Sequence, residues 1–271
     1  MLSVHVCSLG DLTLDLSVRL LGPLAPGADA AAEIRIGAGG QAANVAAWAA
    51  ELGADARVIC KSGDDDAGRS VRAAVAEYGV EIVGPVAGRN GVICALVSAN
   101  GERSMASDRG VAPALEADDI DPAWLRECDH LFVSGYALFR EPARSAARRA
   151  VELAREVGAN VSVDLSSWSD LRDAGPDEIR HVLLELRPDV LFANEAELRQ
   201  LGTPPPDAAL ILKRGASGCV FDGEERAALP VERVVDTTGA GDALGAGWIV
   251  GGPDLALEAA ARSVQTLGAM P

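Results

Sequence analysis

The segment Asp236-Thr-Thr-Gly-Ala-Gly-Asp242, near the end of the chain, combines an anion-binding backbone pattern with a carboxylate. Its glycines precede a run of apolar and small residues, Ala243–Val250, which predicts a helix. Successive backbone N–H groups at the start of a helix bind anions, and the helix dipole strengthens that binding. No Lys-Ser or Lys-Thr pair follows, so the segment is not a Walker A loop.

Asp242 would repel a bound phosphate if anion binding were the only role of this segment. Two interpretations account for the carboxylate. It is either a base that takes the proton from a hydroxyl group attacking the phosphate, or an acid at the start of a helix that the helix dipole favours.

A second glycine-rich segment, Gly37-Ala-Gly-Gly-Gln-Ala42, lies between a strand-like run and a helix-like run and matches the relaxed dinucleotide-binding pattern G-x-G-x-x-A. Two features count against a dinucleotide site: an earlier strand, Val4–Leu9, precedes the segment, and Lys61 stands where the ribose-binding acid belongs. A tight structural turn is one remaining interpretation. We favour a different ligand-binding turn, in which Asn44 offers both a donor and an acceptor to a polyol hydroxyl.

Short β-rich runs alternate with alanine- and arginine-rich runs along most of the chain. This alternation predicts βαβ units and a mostly parallel sheet with helices on both faces. The predicted strands are Val4–Leu9, Arg57–Cys60, His130–Ser134, Val161–Asp164, Val190–Ala193 and Leu210–Lys213. The predicted helices are Gln41–Leu52, Ala67–Tyr78, Pro142–Val157, Asp177–Leu186 and, at the end of the chain, Leu255–Leu267.

Two regions do not follow this alternation. Polar and apolar residues alternate in Leu12–Leu20 and Glu33–Ile36, before the first helix, and again in Gly91–Met105, which contains a turn at Asn100-Gly101. These patterns predict antiparallel ribbons that form a small sheet beside the main one.

Length and charge narrow the class of protein. A single domain spanning all 271 residues has room for a large core. The 24 basic and 40 acidic residues give a net charge of −16, and only Lys61 and Lys213 among the basic residues are lysines. This balance argues against a broad nucleic-acid-binding surface or a surface for anionic membranes, because both need basic patches.

The cysteines, the histidines and the N-terminus together predict a cytoplasmic protein without a zinc site. The five cysteines are scattered and form no C-x-x-C pair, which is typical of reduced thiols in a cytosol, and the three histidines form no H-E-x-x-H motif. The N-terminus has neither a basic region nor a long apolar run, so no signal peptide is expected. No apolar stretch is long enough to predict a membrane span.

Five motifs occur in the order and spacing of the ribokinase-like (phosphofructokinase-B type) carbohydrate kinases, which the chain resembles along nearly its whole length. They are Gly39-Gly-Gln-Ala-Ala-Asn44, followed by Leu52-Gly53 and Gly63–Gly68; Asp108-Arg-Gly110; Asn194-Glu-Ala-Glu197; Lys213-Arg-Gly-Ala-Ser-Gly218; and Asp236–Asp242. The resemblance implies an α/β fold with a central, mainly parallel sheet, flanking helices and a small β-sheet lid formed by about residues 12–36 and 91–107.

On the acceptor side of the site, the resemblance implies that Asp15 and Asn44 hold substrate hydroxyl groups, with help from Asp11. Gly39 and Gly40 would form the hinge on which the lid closes.

On the phosphate side, the resemblance implies that Gly239, Ala240 and Gly241 form an anion hole and that Asp242 is the catalytic base. Backbone N–H groups and a divalent ion would then cover the charge on the transferred phosphate. Asp236 resembles an acid that, in some members, helps to bind a monovalent cation such as K⁺.

For the nucleotide, the resemblance implies that Lys213, Gly215 and Gly218 lie along ATP. Asn194 and Glu197 would organise Mg²⁺ and its waters around the phosphates.

The sequence therefore predicts an ATP-dependent kinase that phosphorylates a hydroxyl group of a sugar or a related small polyol. The alternatives are a nucleoside kinase of the same family, a nicotinamide-dependent oxidoreductase built on Gly37–Ala42, and a catalytically inactive, ligand-sensing relative. A homodimer is also expected, because lid strands of this family often pair between subunits. The identity of the sugar stays open, since Gln41 stands where several sugar-specific members carry other residues.

Overall fold

Two β-sheets of unequal size form the framework of the protein. The computed structural model describes residues 3–97 and 103–271, and within that part of the chain nine strands form one sheet and four form the other. The strands are β1 His5–Leu9, β2 Thr13–Leu20, β3 Ala32–Gly39, β4 Asp55–Ile59, β5 Glu81–Val83, β6 Gly91–Val97, β7 Arg103–Asp108, β8 His130–Ser134, β9 Asn160–Asp164, β10 Val190–Asn194, β11 Ala209–Lys213, β12 Cys219–Phe221 and β13 Glu224–Arg226.

Seven α-helices lie among the described residues, most of them between strands of the larger sheet. They are α1 Gln41–Glu51, α2 Asp66–Ala76, α3 Ala143–Glu156, α4 Trp168–Ala174, α5 Pro176–Leu186, α6 Glu195–Leu201 and α7 Ala240–Ser263. None of these helices has the length and apolar character that crossing a membrane would require.

The larger sheet has the strand order β13-β12-β11-β10-β9-β8-β1-β4-β5. All neighbouring strands from β11 to β5 pair in parallel, and β12 and β13 add an antiparallel edge. This arrangement confirms the predicted mainly parallel sheet. The central strands are buried along almost their whole length, β8 at every position, because helices cover both faces of the sheet.

Helices α1, α2 and α7 pack on one face of the larger sheet, and α3, α4 and α5 pack on the other. Helix α1 is rich in alanine and is buried from Ala42 to Ala49, so α7 can pack closely against it. This packing brings the N-termini of α1 and α7 together at one edge of the sheet, where Asn44 and Asp242 are hydrogen-bonded.

The smaller sheet has the strand order β3-β2-β6-β7. Strand β2 pairs antiparallel with β3 but parallel with β6, and β6 pairs antiparallel with β7. The predicted small sheet is therefore present, although the pairing that joins its two ribbons is parallel. The reason is that the chain passes through β4, α2 and β5 before it returns as β6, and such a long crossover permits parallel pairing. The turn predicted at Asn100-Gly101 lies outside the described residues.

The two faces of the smaller sheet differ in character, because side chains alternate between them along each strand. One face, which we call the outer face, carries Leu16, Val18, Ile34, Ile36, Cys94 and Leu96, together with Ser104 and Ala106 of β7. Ile34 and Ile36 on this face are 61% and 63% exposed. The opposite face carries Asp15 and Ile93 and lines a cavity at the end of the larger sheet.

Several short elements are missing from the sequence prediction, namely β5, β12, β13, α4 and α6. Each has between three and seven residues, which is too few to show a clear hydrophobic period.

The two helices predicted at the end of the chain, Ala243–Val250 and Leu255–Leu267, are both present as the two helical parts of α7, which the non-helical backbone of Gly252 separates. Gly252, with a φ of 80°, and Pro253 produce the kink between the two predicted parts. Helix α7 also begins earlier, at Ala240, and ends earlier, at Ser263, than the pattern predicts. The early start places the glycine-rich segment within the first turn of the helix.

Candidate active site

A cavity of about 670 Å³ lies at the carboxyl end of the larger sheet, and the smaller sheet lines one side of it. Parallel strands end at the same edge of a sheet, so residues that follow different strands converge there. Asp11 follows β1, Asn194 ends β10 and Lys213 ends β11, and all three line the cavity. Ser134 and Asp164 end β8 and β9, which lie between β1 and β10.

The first turn of α7 forms one wall of the cavity and contributes Gly239, Ala240, Gly241 and Asp242 to its lining. The first N–H groups of an α-helix have no partner within the helix, so this turn can bind an anion. Gly239 has a φ of 78°, and a Cβ atom there would lie 2.5 Å from the carbonyl oxygen of Ala269. This position of the turn therefore requires glycine.

The carboxyl group of Asp242 lies beside this turn and accepts a hydrogen bond from Asn44 Nδ2 at 2.7 Å. Burial raises the pKa of Asp242 to about 7, and the negative charge of Asp164 acts in the same direction. Hydrogen bonds from Asn44 and Gln41 and the positive charge of Lys213 oppose the increase in this pKa. A carboxylate with such a pKa can accept a proton near neutral pH.

Asn44 has an unsatisfied acceptor at the same place. The residue is 5% exposed, and its Oδ1 is a buried atom without a hydrogen-bond partner among the described residues. Buried polar atoms of this kind are uncommon because they cost free energy. A bound hydroxyl group would supply the missing donor while Asn44 Nδ2 continues to hold Asp242.

Arg109, which follows β7, forms an ion pair with the carboxylate of Asp11. The Arg109 guanidinium also lies 3.7 Å from the centre of the Tyr136 ring. Burial raises the pKa of Asp11, and the positive charge of Arg109 opposes that increase. The ion pair therefore joins the base of the smaller sheet to the end of β1 and neutralises one acidic group in the cavity.

Asp15 lies on the cavity-facing side of β2 and accepts a hydrogen bond from Thr13 Oγ1 at 2.7 Å. Burial raises the pKa of Asp15 to about 6, partly offset by the Thr13 hydrogen bond. A Cβ atom on Gly39 would lie 2.0 Å from Asp15 Oδ2, and one on Gly40 would lie 2.3 Å from the carbonyl oxygen of Asp11. The two glycines thus allow both acidic residues to lie against the start of α1. Gly40 lines the cavity, whereas Gly39 lies behind Asp15.

The glycine-rich segment Gly37–Ala42 does not have the structural context of a dinucleotide-binding turn. The strand before it, β3, belongs to the smaller sheet and pairs antiparallel with β2. A dinucleotide-binding turn instead joins a strand of the parallel sheet to its helix. Lys61, two residues after the end of β4, stands where a dinucleotide site has its ribose-binding acid, and its ammonium donates to the carbonyl oxygen of Ala114 at 2.9 Å. The geometry counts against the oxidoreductase alternative.

Asn194 and Glu197 hold each other at the start of α6 in a reciprocal cap. The Asn194 side-chain oxygen accepts from the Glu197 N–H at 2.9 Å. The Glu197 carboxylate accepts from the Asn194 N–H at 2.8 Å and from Asn194 Nδ2 at 2.7 Å. Burial raises the pKa of Glu197, and the charge of Lys213 opposes the increase. Both residues line the cavity, which therefore has a carboxylate in a fixed orientation at this wall.

Lys213 forms a buried ion pair with Asp164, with 2.6 Å between Nζ and Oδ2. Burial lowers the pKa of Lys213, but the charges of Asp164 and Glu197 outweigh it, and the net pKa lies above the ordinary value. The side chain consequently stays charged at neutral pH. A Cβ atom on Gly241 would lie 3.5 Å from Lys213 Nζ, so this ammonium lies next to the first turn of α7.

Gly215 and Gly218 lie in the turn between β11 and β12 and line the cavity beside Lys213. Asp236 is buried behind the lining. It accepts hydrogen bonds from Thr238 N–H at 2.9 Å, Thr238 Oγ1 at 2.6 Å and Gly268 N–H at 3.1 Å. These bonds tie the loop before α7 to the C-terminal segment.

Sequence reasoning did not identify a hydrogen-bonded group beside the cavity, which is formed by Gln41, Ser134, Asp164 and Ser166. Ser134 and Asp164 end two of the predicted strands, so the convergence of strand ends was the signal that would have identified them. Gln41 offers no comparable signal, because an uncharged amide has no typical role and its partners come from distant parts of the chain.

Comparison with known proteins gives a consistent result. The sequence matches the family described as pfkB family carbohydrate kinase over residues 4–270. It is 33% identical over 269 residues to an ATP-dependent ribose-1-phosphate kinase from Halopiger xanaduensis, covering 91% of this chain and 84% of that protein. It is 31% identical to fructokinase-1 from Zea mays, covering 76% of this chain and 70% of that protein.

Solved structures share the fold. The adenosine kinase from Sinorhizobium meliloti superposes with a TM-score of 0.86 at 23% identity, covering 100% of this chain and 96% of that one. A protein described as ribokinase II from E. coli, solved with ATP and Mg²⁺, superposes with a TM-score of 0.83 at 24% identity, covering 99% and 95% of the two chains. These likenesses confirm the predicted α/β fold class.

Substitution of Lys213 tests the buried ion pair. Lys213→Met is expected to lower the free energy of unfolding by about 3–5 kcal/mol, because it leaves the Asp164 carboxylate buried without its cation. Urea denaturation measures the difference. Lys61→Met is the matched control and should cost less, because the Asp119 carboxylate that Lys61 approaches at 4.0 Å is 27% exposed, whereas the Asp164 carboxylate is 1% exposed.

The double variant Asp164→Asn/Lys213→Met removes the unpaired charge and should be more stable than Lys213→Met alone. A Lys213→Met variant as stable as the unchanged protein would contradict this account of the pair.

Proposed function

Because the chain belongs to the pfkB family of carbohydrate kinases, we propose that it transfers the γ-phosphoryl group of ATP to a hydroxyl group of a sugar or a related small polyol. The observation that carries this proposal is the pairing of Asn44 with Asp242 beside the first turn of α7. A proton acceptor, an unsatisfied hydrogen-bond acceptor and an anion-binding helix start thus meet at one place in the cavity.

Asp242 acts as the general base. The oxygen of the acceptor hydroxyl bonds to the γ-phosphorus, the bond from that phosphorus to ADP breaks, and the hydroxyl proton passes to the Asp242 carboxylate. A pKa of about 7 suits this role, because the group is largely ionised above that pH and still basic enough to take the proton. Asn44 Oδ1 accepts a hydrogen bond from a second hydroxyl of the same acceptor, which is the reason to expect a polyol.

Gly239, Ala240 and Gly241 form the anion hole through the N–H groups of the first turn of α7. Lys213 adds a cation beside this turn, held in place by Asp164. The backbone dipoles and the fixed ammonium group thus stabilise the negative charge on the oxygens of the transferred phosphoryl group.

Asp15 and Asp11 hold further hydroxyl groups of the acceptor. The Asp15 carboxylate forms no ion pair with a described cation, whereas the Asp11 carboxylate is oriented by Arg109. Gly39 and Gly40 serve as the hinge on which the smaller sheet closes over the acceptor, and closure excludes water that would compete for the phosphoryl group.

ATP supplies the phosphoryl group, and the wall formed by Lys213, Gly215 and Gly218 holds the nucleotide. Mg²⁺ usually keeps several waters and takes few protein ligands. A single carboxylate held rigidly at the cavity wall fits such a role, so Glu197, oriented by Asn194, would hold the hydrated ion. The related fold solved with ATP and Mg²⁺ supports the use of both.

A role of Asp236 in holding a monovalent cation such as K⁺ stays a prediction. Its two oxygens already accept three hydrogen bonds, from Thr238 and Gly268. Its role within the described residues is to hold the loop that leads into the anion hole.

The cavity favours a sugar over a nucleoside as acceptor. Tyr136 is the only aromatic residue among the described residues that line it, and Arg109 covers one face of the ring at 3.7 Å. Little aromatic surface is left to stack a nucleobase. By their names, curated relatives act on ribose 1-phosphate and fructose, and one at 30% identity acts on aminoimidazole riboside.

We also infer that the enzyme works in the cytoplasm. All five cysteines are free thiols, as a reducing compartment requires. Its partners are ATP and a small sugar-like molecule, and the net charge of −16 disfavours nucleic acid and anionic membranes.

A screen for acceptor-dependent ADP release tests the function. The purified protein is incubated with ATP and Mg²⁺ in the presence of neutral sugars, sugar acids, sugar phosphates or nucleosides. Release is expected with a sugar or small polyol, and ATP with Mg²⁺ should raise the melting temperature whereas NAD(H) should not. Absence of release with every acceptor would contradict the proposal, and release with nucleosides alone would favour the nucleoside kinase.

Asp242→Asn is expected to reduce turnover at least about 100-fold, because it removes the general base while leaving a hydrogen-bonding group of the same size. In the unchanged enzyme, kcat/KM should fall as the pH drops below about 7, since protonation of Asp242 removes the base. Steady-state kinetics measures both effects. Asp254→Asn, on the same helix but with a side chain that is 85% exposed, is the control and should keep normal turnover. Near-normal activity of Asp242→Asn would refute the assignment.

We propose further that the outer face of the smaller sheet binds a second copy of the chain. This face is apolar, with Ile34 and Ile36 largely exposed, and the following loop adds Leu21 and Leu24, which are 56% and 59% exposed. An exposed apolar patch of this kind usually marks an interface. A second copy presents the same patch, so a two-fold dimer would cover both.

Light scattering at micromolar concentration measures the oligomeric state. The unchanged protein is expected to be a dimer, and Ile34→Glu/Ile36→Glu a folded monomer, because charges on the outer face oppose its burial. Leu184→Glu, at an exposed position of α5, is the control and should remain dimeric. A monomeric unchanged protein would contradict this proposal.

A further inference from the structure

The described residues that line the cavity carry more negative than positive charge. The two cations among them are Arg109 and Lys213, and the four carboxylates are those of Asp11, Asp15, Glu197 and Asp242. Lys213 lies beside the first turn of α7, where backbone N–H groups and Mg²⁺ would also offset negative charge. At the opposite end, where the acceptor binds, Arg109 is the cation that lines the described cavity.

The guanidinium group of Arg109 is held on two sides by the protein. It forms an ion pair with the Asp11 carboxylate, and it lies 3.7 Å from the centre of the Tyr136 ring. The side chains of Arg109 and Asp11 are only 20% and 7% exposed. A phosphate group on the acceptor could pair with Arg109 only by displacing Asp11, and a carboxylate left buried without its cation is strongly destabilising.

The pair of Asp11 with Arg109 keeps both of its charges. Burial raises the pKa of Asp11, and the positive charge of Arg109 opposes that increase. An arginine side chain does not lose its proton in proteins, so protonation of Asp11 would leave a largely buried cation without a counter-charge. Direct contact between the two groups therefore favours the ionised carboxylate.

The smaller sheet has two further arginines on the face that carries Asp15. Side chains alternate along β2 and β3, so Arg19 and Arg35 lie on this face. Arg19 forms an ion pair with Glu33 at 3.1 Å, and Arg35 donates to the carbonyl oxygen of Leu267. Neither arginine is among the described residues that line the cavity, so neither is placed to contact a charged group of the acceptor.

The acceptor end of the cavity is rich in hydrogen-bond acceptors. Asn44 Oδ1 is buried without a partner among the described residues, and the ionised carboxylates of Asp15 and Asp242 can only accept. The hydroxyl groups of a neutral polyol can supply a donor to each of them. An ionised phosphate or carboxylate group instead brings further acceptors and a like charge, which opposes its binding.

We propose that the ion pair of Asp11 with Arg109 makes the enzyme selective for uncharged acceptors, because Asp11 occupies the cation that a phosphate or carboxylate group would need. This inference rests on the proposed kinase function and narrows its acceptor to a neutral polyol. Asp11 is thereby a specificity-determining residue.

Pairs of acceptors that differ by one phosphate group test the proposal on the unchanged enzyme. Fructose is compared with fructose 1-phosphate, and ribose with ribose 1-phosphate, each with ATP and Mg²⁺. We expect kcat/KM to be about 10- to 100-fold higher for the neutral member, because repulsion between charges several ångströms apart in a partly buried site weakens binding by about this factor. An equal or higher value for the phosphorylated member would overturn the proposal.

Asp11→Asn removes the charge that occupies Arg109 and keeps a side chain of the same size. The ratio of kcat/KM for the phosphorylated acceptor to that for the neutral one is expected to rise about 10-fold. A merely structural role of Asp11 would lower both values together and leave their ratio unchanged, which would contradict the proposal. Asp108→Asn is the control and should keep the normal ratio, because Asp108 pairs with Arg89 at an exposed position outside the described cavity lining.

Binding of inorganic phosphate gives a readout that does not depend on turnover. In calorimetric titrations without nucleotide, Asp11→Asn is expected to bind phosphate about 10-fold more tightly than the unchanged protein. The double variant Asp11→Asn/Arg109→Met should lose this gain. Since phosphate can also bind at the first turn of α7, the difference between the two variants isolates the contribution of Arg109.

The two kinds of measurement separate the failure of this inference from the failure of the proposed function. If no acceptor gives ADP release but Asp11→Asn gains affinity for phosphate through Arg109, the proposed function fails while the role of Asp11 in occupying Arg109 stands. An active kinase whose Asp11→Asn variant shows no such gain would refute the inference about Asp11 alone.

Discussion

Partial burial of the Asp242 carboxylate is the constraint on which the rest of the site depends. A carboxylate away from water is costly unless donors and cations surround it, and these come from two separate regions, the first turn of α1 and the end of β11. The N-termini of α1 and α7 can meet there because α1 is rich in alanine, α7 is rich in alanine and glycine, and the two helices pack closely. The close contact of these helices, the raised pKa of Asp242 and the anion-binding turn are consequences of the same packing.

The charge of the whole chain is a poor guide to this site. A net charge of −16 disfavours anionic ligands at long range. At the site, however, Asp11 forms an ion pair with Arg109, and Asp164 forms one with Lys213. The first turn of α7 adds backbone dipoles. Interactions at a few ångströms in a partly buried site are screened much less than those across the surface, so the local arrangement decides what binds.

Much of the architecture could be predicted from the sequence, because it depends on local patterns. Continuous apolar runs predicted the strands of the parallel sheet, and alternating runs predicted the smaller sheet. The prediction failed where local patterns are short, since β12 and β13 have only three residues each. It also failed to foresee the parallel pairing of β2 with β6, since pairing between distant strands leaves no mark on either of them.

The sequence by itself determined which motifs end the strands and begin the helices, since those positions follow from spacing along the chain. Through the resemblance of its motifs to the carbohydrate kinases, the sequence also identified Asp242, Asn44 and the glycines around them as a set. Only the tertiary structure decided which groups pair: Asp11 with Arg109, Asp164 with Lys213, and Gln41 with Ser134 and Ser166. These pairs depend on which strand ends are neighbours, and strand order is a property of the folded sheet rather than of any segment of the sequence.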